Sequence, residues 1–147
     1  MTAAATIPQI AGYRFDLAAN RADSSTRGRL SPVGIKAFLR IAEKWGVKDQ
    51  DARELLGGIS SGSFYALKKT PDARTLDQDT LTRISLLIGI FKALNILYSQ
   101  RLADAWMTLP NSNPMFRGST PLAYILRLGQ PGMVRVRELL DSRRGGQ

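Results

Sequence analysis

The 147-residue sequence contains no cysteine and no histidine. Without cysteine there is no disulfide framework and no thiolate metal site. Without histidine the commonest general base, the commonest zinc ligand and the usual Ser-His and Cys-His catalytic pairs are missing. Acid is scarce in the second half: beyond residue 80 the carboxylates are Asp104, Glu138 and Asp141, and the first lies far along the chain from the others. A carboxylate-based hydrolase or lyase needs paired acids in a pocket, so the reading is of a protein that is not an enzyme and carries no cofactor or metal. The most apolar run, residues 84–98, is shorter than a membrane span and contains Lys92 and Asn95. Residues 1–6 hold no basic cluster, and Arg14 and Asp16 interrupt the apolar stretch after Ile7, so no secretory pattern is present. These absences lead to the expectation of a soluble, cytoplasmic protein with no membrane role.

What is present is a core and a basic excess. Apolar residues make up 44% of the chain, enough for one compact domain or two small helical units sharing a core. The formal charge is +9, unevenly placed. Residues 1–30 hold four arginines and two aspartates, residues 31–80 eight basic and seven acidic side chains, and residues 81–147 nine basic and three acidic. The excess is C-terminal and almost all arginine. It suits DNA phosphates, a tail that contacts nucleic acid, or an acidic protein partner, and charge alone does not choose among them.

Helical periodicity runs through most of the chain. Residues 1–30 read as a flexible leader with a few apolar anchors, among them Ile10, Tyr13, Phe15 and Leu17. Ser31-Pro32 reads as an N-cap followed by proline at the first helical position, opening a helix over residues 32–45 that Gly46 ends. Asp49 is placed to cap a short helix with Ala52, Leu55 and Leu56 on one face, stopped by Gly57-Gly58. Ser60 or Ser61 caps a third helix with Phe64 and Leu67 inward, closed by Lys68-Lys69. The strongest signal is Leu81, Ile84, Ile88, Phe91, Leu94 and Tyr98, stepping by three and four behind the helix-favouring Asp77 and Asp79. Within it Arg83 either pairs with Asp79 one turn back or ties two subdomains together. Further helices are expected over residues 100–107, from Thr120-Pro121 to about residue 128, and from Pro131 through Leu140, with a turn-rich loop over residues 109–118. Trp45, Trp106 and Phe116 are expected in the core. No strand pattern and no internal repeat is found. The fold class is all-α: residues 1–30 a leader, 31–76 a helix-turn-helix-like unit, and 77–147 a C-terminal helical domain with a short tail.

The two short helices between residues 49 and 69, joined by a glycine turn, have the layout of a helix-turn-helix, whose second helix enters the major groove. With Phe64 and Leu67 buried, Ser61, Ser63, Tyr65, Lys68 and Lys69 face outward as candidate DNA-binding residues. Hydroxyls near a helix N-terminus suit base edges or phosphates, and terminal lysines suit phosphates. No acidic residue lies between Glu54 and Asp72, as close approach to DNA requires. A plain helical hairpin that only packs is the alternative.

Taken in order, several stretches together resemble the Xre/MbcA/ParS antitoxin family, partners of RES-domain toxins. The resemblance covers about residues 31–147. It rests on residues 51–69 (DARELLGGISSGSFYALKK), on Arg83-Ile84-Ser85-Leu86-Leu87 and on Ala105-Trp106. It continues through Pro110-Asn111, Phe116, Gly118, Pro121, Gly132, Val134-Arg135-Val136-Arg137 and Gly145-Gly146. The chain carries Leu67 where the family often has tryptophan, and Gln147 where an aromatic often follows the terminal glycine pair. The resemblance implies an N-terminal Xre-like DNA-binding unit and a C-terminal toxin-binding domain. It also implies a toxin that consumes NAD, and an antitoxin that covers the toxin's NAD pocket with its C-terminal segment. By that analogy Arg135, Arg137, Arg143, Arg144, Gly145, Gly146 and Gln147 are the toxin-binding residues. Operator DNA, a homodimer and a larger toxin–antitoxin assembly are implied as further partners. Forked guanidinium donors suit carboxylates, and a Gly-Gly end can follow a narrow cleft at the cost of ordering on binding. The competing reading is a stand-alone helix-turn-helix repressor whose C-terminal domain dimerises or senses a ligand.

Overall fold

The computed structural model describes residues 23–145. Within them the chain is helical throughout, with no strand. The α-helices are α1 (Ser24–Trp45), α2 (Asp49–Leu55), α3 (Ser61–Lys69), α4 (Gln78–Leu97), α5 (Gln100–Ala105), α6 (Pro121–Leu128) and α7 (Gln130–Arg144). Short 3-10 turns at Trp106–Thr108 and Pro114–Phe116 shape the loop between α5 and α6.

Most helix starts follow from local chemistry. Asp77, Ser60, Ser99 and Thr120 each accept a hydrogen bond from the backbone N–H three residues on, satisfying a donor that the first turn leaves free. Pro121 then occupies the first turn of α6, where a missing N–H costs nothing. α2 differs from expectation: Lys48 holds the cap position without a side-chain bond, and Asp49 lies inside the first turn, where its charge favours the helix dipole. The turn after α2 uses Gly57 and Gly58 at φ +106° and +82°, backbone that side-chain-bearing residues rarely adopt.

The start of α1 departs most from the sequence reading. The helix begins at Ser24, capped by Asp23, and passes straight through Pro32. Residues 24–30, expected in the leader, are its first turns; residues 1–22 of that leader lie outside the described residues. Ser31 is fully buried and caps nothing. Its hydroxyl donates to the Arg27 carbonyl at 2.6 Å and accepts from the Leu76 N–H at 2.8 Å, tying α1 to the segment before α4.

α4 is the central beam. It packs against α1, α5 and α7, and α7 in turn packs against α6. Leu81, Ile84, Ile88, Ile90, Ala93 and Leu94 are sealed from solvent. The helix is long and apolar enough to cross a membrane by composition, but two-thirds of that stretch (67%) is buried inside the protein. Burying each leucine or isoleucine among them is worth about 1.5–3 kcal/mol. Trp45, Trp106 and Phe116 are in the core as expected, with Phe116 standing edge-on between Trp106 and Tyr124.

Arg83 plays both of its expected parts. It donates to Asp79 at 2.9 Å, and Asp79 also accepts from Gln130 at 2.9 Å, which links α4 to the first turn of α7. The Arg83 side chain lies beside both Gly57, after α2, and Gly129, before α7.

Candidate functional site

Two faces carry the side chains singled out from sequence. The first is built by α2 and α3. Phe64 and Leu67 are buried, and Ser61, Tyr65, Lys68 and Lys69 are exposed, while Ser63 is half-buried. Tyr65 is 65% exposed, an unusual position for a large aromatic with no contact to explain it beyond Lys69 over its ring. The Lys69 Nζ stands 5.9 Å from the Tyr65 centroid, so the two present one amphipathic unit at the end of α3.

Two features of this face were not legible in the sequence. Lys68 is paired with Asp49 of α2 at 3.3 Å, so an acid absent from the local sequence is supplied from nineteen residues away. Arg53 donates from its Nε to the Ile59 carbonyl at 3.0 Å and thereby holds the glycine turn to α2. Asp49, Arg53, Ser61, Gly62, Tyr65 and Lys68 line one shallow depression of about 460 Å³. Nothing local marks Asp49 or Arg53 for this face, because only the packing of α2 on α3 brings them together.

The second face is C-terminal, and the arginines of α7 do not act as one set. Arg137 turns toward α4: its Nε donates to Asp141 at 3.2 Å, and its guanidinium lies against the Gly89 backbone so closely that a Cβ there would fit only if the arginine moved aside. Arg144 reaches the same Asp141 at 3.5 Å. Arg143 donates to the Tyr98 hydroxyl at 2.9 Å and lines a depression of about 260 Å³ with Leu102, Trp106, Leu109 and Asn111. Arg135 is exposed on a different side, in a depression it shares with Arg117 and Arg127. Gly145 closes α7 and is exposed, its N–H bonded to the Asp141 carbonyl. Gly146 and Gln147 lie outside the described residues.

Lys92 is the residue on this side that sequence reasoning treated only as an interruption of an apolar run. It is 3% exposed, and its ammonium has no hydrogen-bond partner among the described residues. Burial, and then the neighbouring Arg137 cation, hold its pKa below the usual 10.5.

Comparison with known proteins follows this division. Residues 25–89 match the family model of the antitoxin Xre-like helix-turn-helix domain. Residues 93–146 match that of the antitoxin Xre/MbcA/ParS C-terminal toxin-binding domain. The two matches part inside α4, the helix that both halves pack against. A protein of Sinorhizobium fredii, carried under the name "uncharacterized protein y4oB", is 37% identical over 116 residues, which is 78% of this chain and 87% of that one. No solved structure matches.

Proposed function

The chain belongs to the Xre/MbcA/ParS antitoxin family, and we propose that it binds and silences a RES-domain toxin by covering the toxin's NAD pocket with α7 and the tail that follows. The observation that carries this reading is the order of the two halves in one chain, a helix-turn-helix unit followed by a toxin-binding domain. The basic surplus lies in the second half, where nine basic side chains face three acids. Inhibition by occlusion requires affinity and shape rather than catalytic groups, so the chain performs no reaction and holds no cofactor. Arg135 and Arg143, with Gly145, Gly146 and Gln147, are the contacts of first choice. Arg137 and Arg144 are held by Asp141 and join the interface only if a toxin carboxylate replaces it.

The same reading assigns a second task to α3. Ser61, Ser63, Tyr65 and Lys69 face a duplex, with Lys68 exchanging Asp49 for a phosphate, and the antitoxin represses its own operon from the cytoplasm. A homodimer would read two half-sites about 34 Å apart, and toxin would join it in a larger assembly.

The test is reconstitution. The product of the adjacent gene is purified, its consumption of NAD is followed, and the full chain is added in increasing amounts. Stoichiometric loss of NAD consumption, with a stable complex on gel filtration, supports the proposal. An unaffected rate and no complex overturns it, and tight operator binding by the chain alone would then favour the stand-alone repressor.

A further inference from the structure

Three arginines that are far apart in sequence line one depression of about 540 Å³ formed by the α5–α6 loop, α6 and α7. They are Arg117, Arg127 and Arg135. All three are exposed, and none is paired with a carboxylate among the described residues. Elsewhere on the C-terminal half Asp141 serves Arg137 and Arg144, and Asp104 accepts from Gln100, while the exposed Glu138, one turn after Arg135 on α7, forms no ion pair with any of the three. Cations that line one depression repel one another, and an anion seated among them relieves that repulsion.

Backbone geometry adds an independent sign. Arg117 sits at φ +50°, ψ +42°, the left-handed region, and is the one non-glycine residue with positive φ among those described. A side chain there is strained relative to glycine. Glycine would fit without strain, as it does next door at Gly118, φ +80°. Strain kept at a charged, exposed residue points to use of that side chain. The floor beneath is rigid: Tyr124 is 3% exposed, packed edge-on by Phe116 at 5.2 Å, with the Arg127 guanidinium over its ring at 5.8 Å.

We propose that this depression is a carboxylate-binding socket, which seats acidic side chains of the protein partner that the toxin-binding domain grips. The inference rests on the proposed antitoxin function for the identity of that partner. Guanidinium forks take carboxylates and phosphates alike in a bidentate manner. Two features favour protein carboxylates over nucleic acid. Met115 and Leu128 form apolar walls beside the cations, the mixture of protein–protein interfaces. And the socket shares no lining residue with the α2–α3 face assigned to DNA. An exposed charge cluster of this kind acts mainly on the rate of encounter and on register.

The experiment titrates the full, isotope-labelled chain with a hexaglutamate peptide while the arginine Nε–Hε signals are followed by NMR. Inorganic phosphate and a short DNA duplex are titrated in parallel. The expected result is that hexaglutamate moves the signals of Arg117, Arg127 and Arg135 first, and that the double variant Arg127→Gln, Arg135→Gln loses the response. Arg117→Gly is the control for folding: it should unfold at a temperature no lower than the parent and still bind the peptide more weakly. Peptide shifts that centre elsewhere overturn the socket, as do duplex DNA or phosphate moving the three signals where hexaglutamate does not. Against a RES-domain toxin from the adjacent gene that the parent chain binds, the double variant should associate at least tenfold more slowly at low salt, with a flattened salt dependence; an unchanged rate overturns the socket's role. If the parent takes hexaglutamate in the socket but ignores the RES-domain protein, the socket stands and the proposed function falls.

Discussion

Single side chains here do work that their neighbours in sequence do not announce. Ser31 is the clearest case, since its buried hydroxyl both donates and accepts across two segments. Ser31→Ala removes the hydroxyl that accepts from the buried Leu76 N–H. It should lower stability by about 2 kcal/mol in a urea titration. Lys92 runs the other way. Its unpartnered ammonium is buried at a cost, so Lys92→Met, of similar shape, should raise stability by about 1 kcal/mol. The sign of its pH dependence follows from the lowered pKa. The unfolded chain holds the proton more tightly, so folding gains stability as pH rises from the lowered folded value toward 10.5. Thermal melts of the parent between neutral pH and pH 10 should show that gain, and Lys92→Met should lack it.

At the scale of the helix, caps decide the beginnings. The Thr80 N–H donates to the Asp77 carboxylate, and this bond holds the carboxyl below the ordinary 3.8. Its contribution is in place above that value and is lost as pH falls through the lowered one. Asp77→Ala should cost about 1 kcal/mol at neutral pH, read by denaturation, with a smaller difference in acid. Elements like α4 and α6 were legible in the sequence because the start, acidic at Asp77 and Asp79 in α4 and Thr120-Pro121 in α6, agrees with the apolar stripe that follows. The start of α1 was not, because Ser31-Pro32 has the local form of a helix start. What carries the helix back to Ser24 is non-local: Leu30 in the core and Ser31 bonded to Leu76. The DNA-facing set on α3 was legible as exposure, from the burial of Phe64 and Leu67. Asp49 beside Lys68 was not, since the pair depends on how α2 meets α3. The arginines of α7 were legible as residues but not as a site. Helical rotation sends Arg137 to α4, Arg143 to Tyr98, and Arg135 toward Arg117 and Arg127.

At the scale of the molecule, one helix serves two tasks. α4 carries α1 on the helix-turn-helix side and α7 on the toxin-binding side, and the bridge from Arg83 and Asp79 to Gln130 crosses the same junction. A protein built this way can present a DNA-reading face and an inhibitory face from a single core. Leu140 is the last buried residue of α7, so ending the chain at Ser142 leaves the core whole while removing Arg143, Arg144 and all that follows. The most direct measurement is therefore growth rescue beside a pulldown, with the product of the adjacent gene expressed together with either the full chain or the chain ending at Ser142. The full chain should bind the toxin and restore growth, and the shortened chain should bind without restoring it. A full chain that neither binds nor rescues would contradict the assignment of this protein as that toxin's antitoxin.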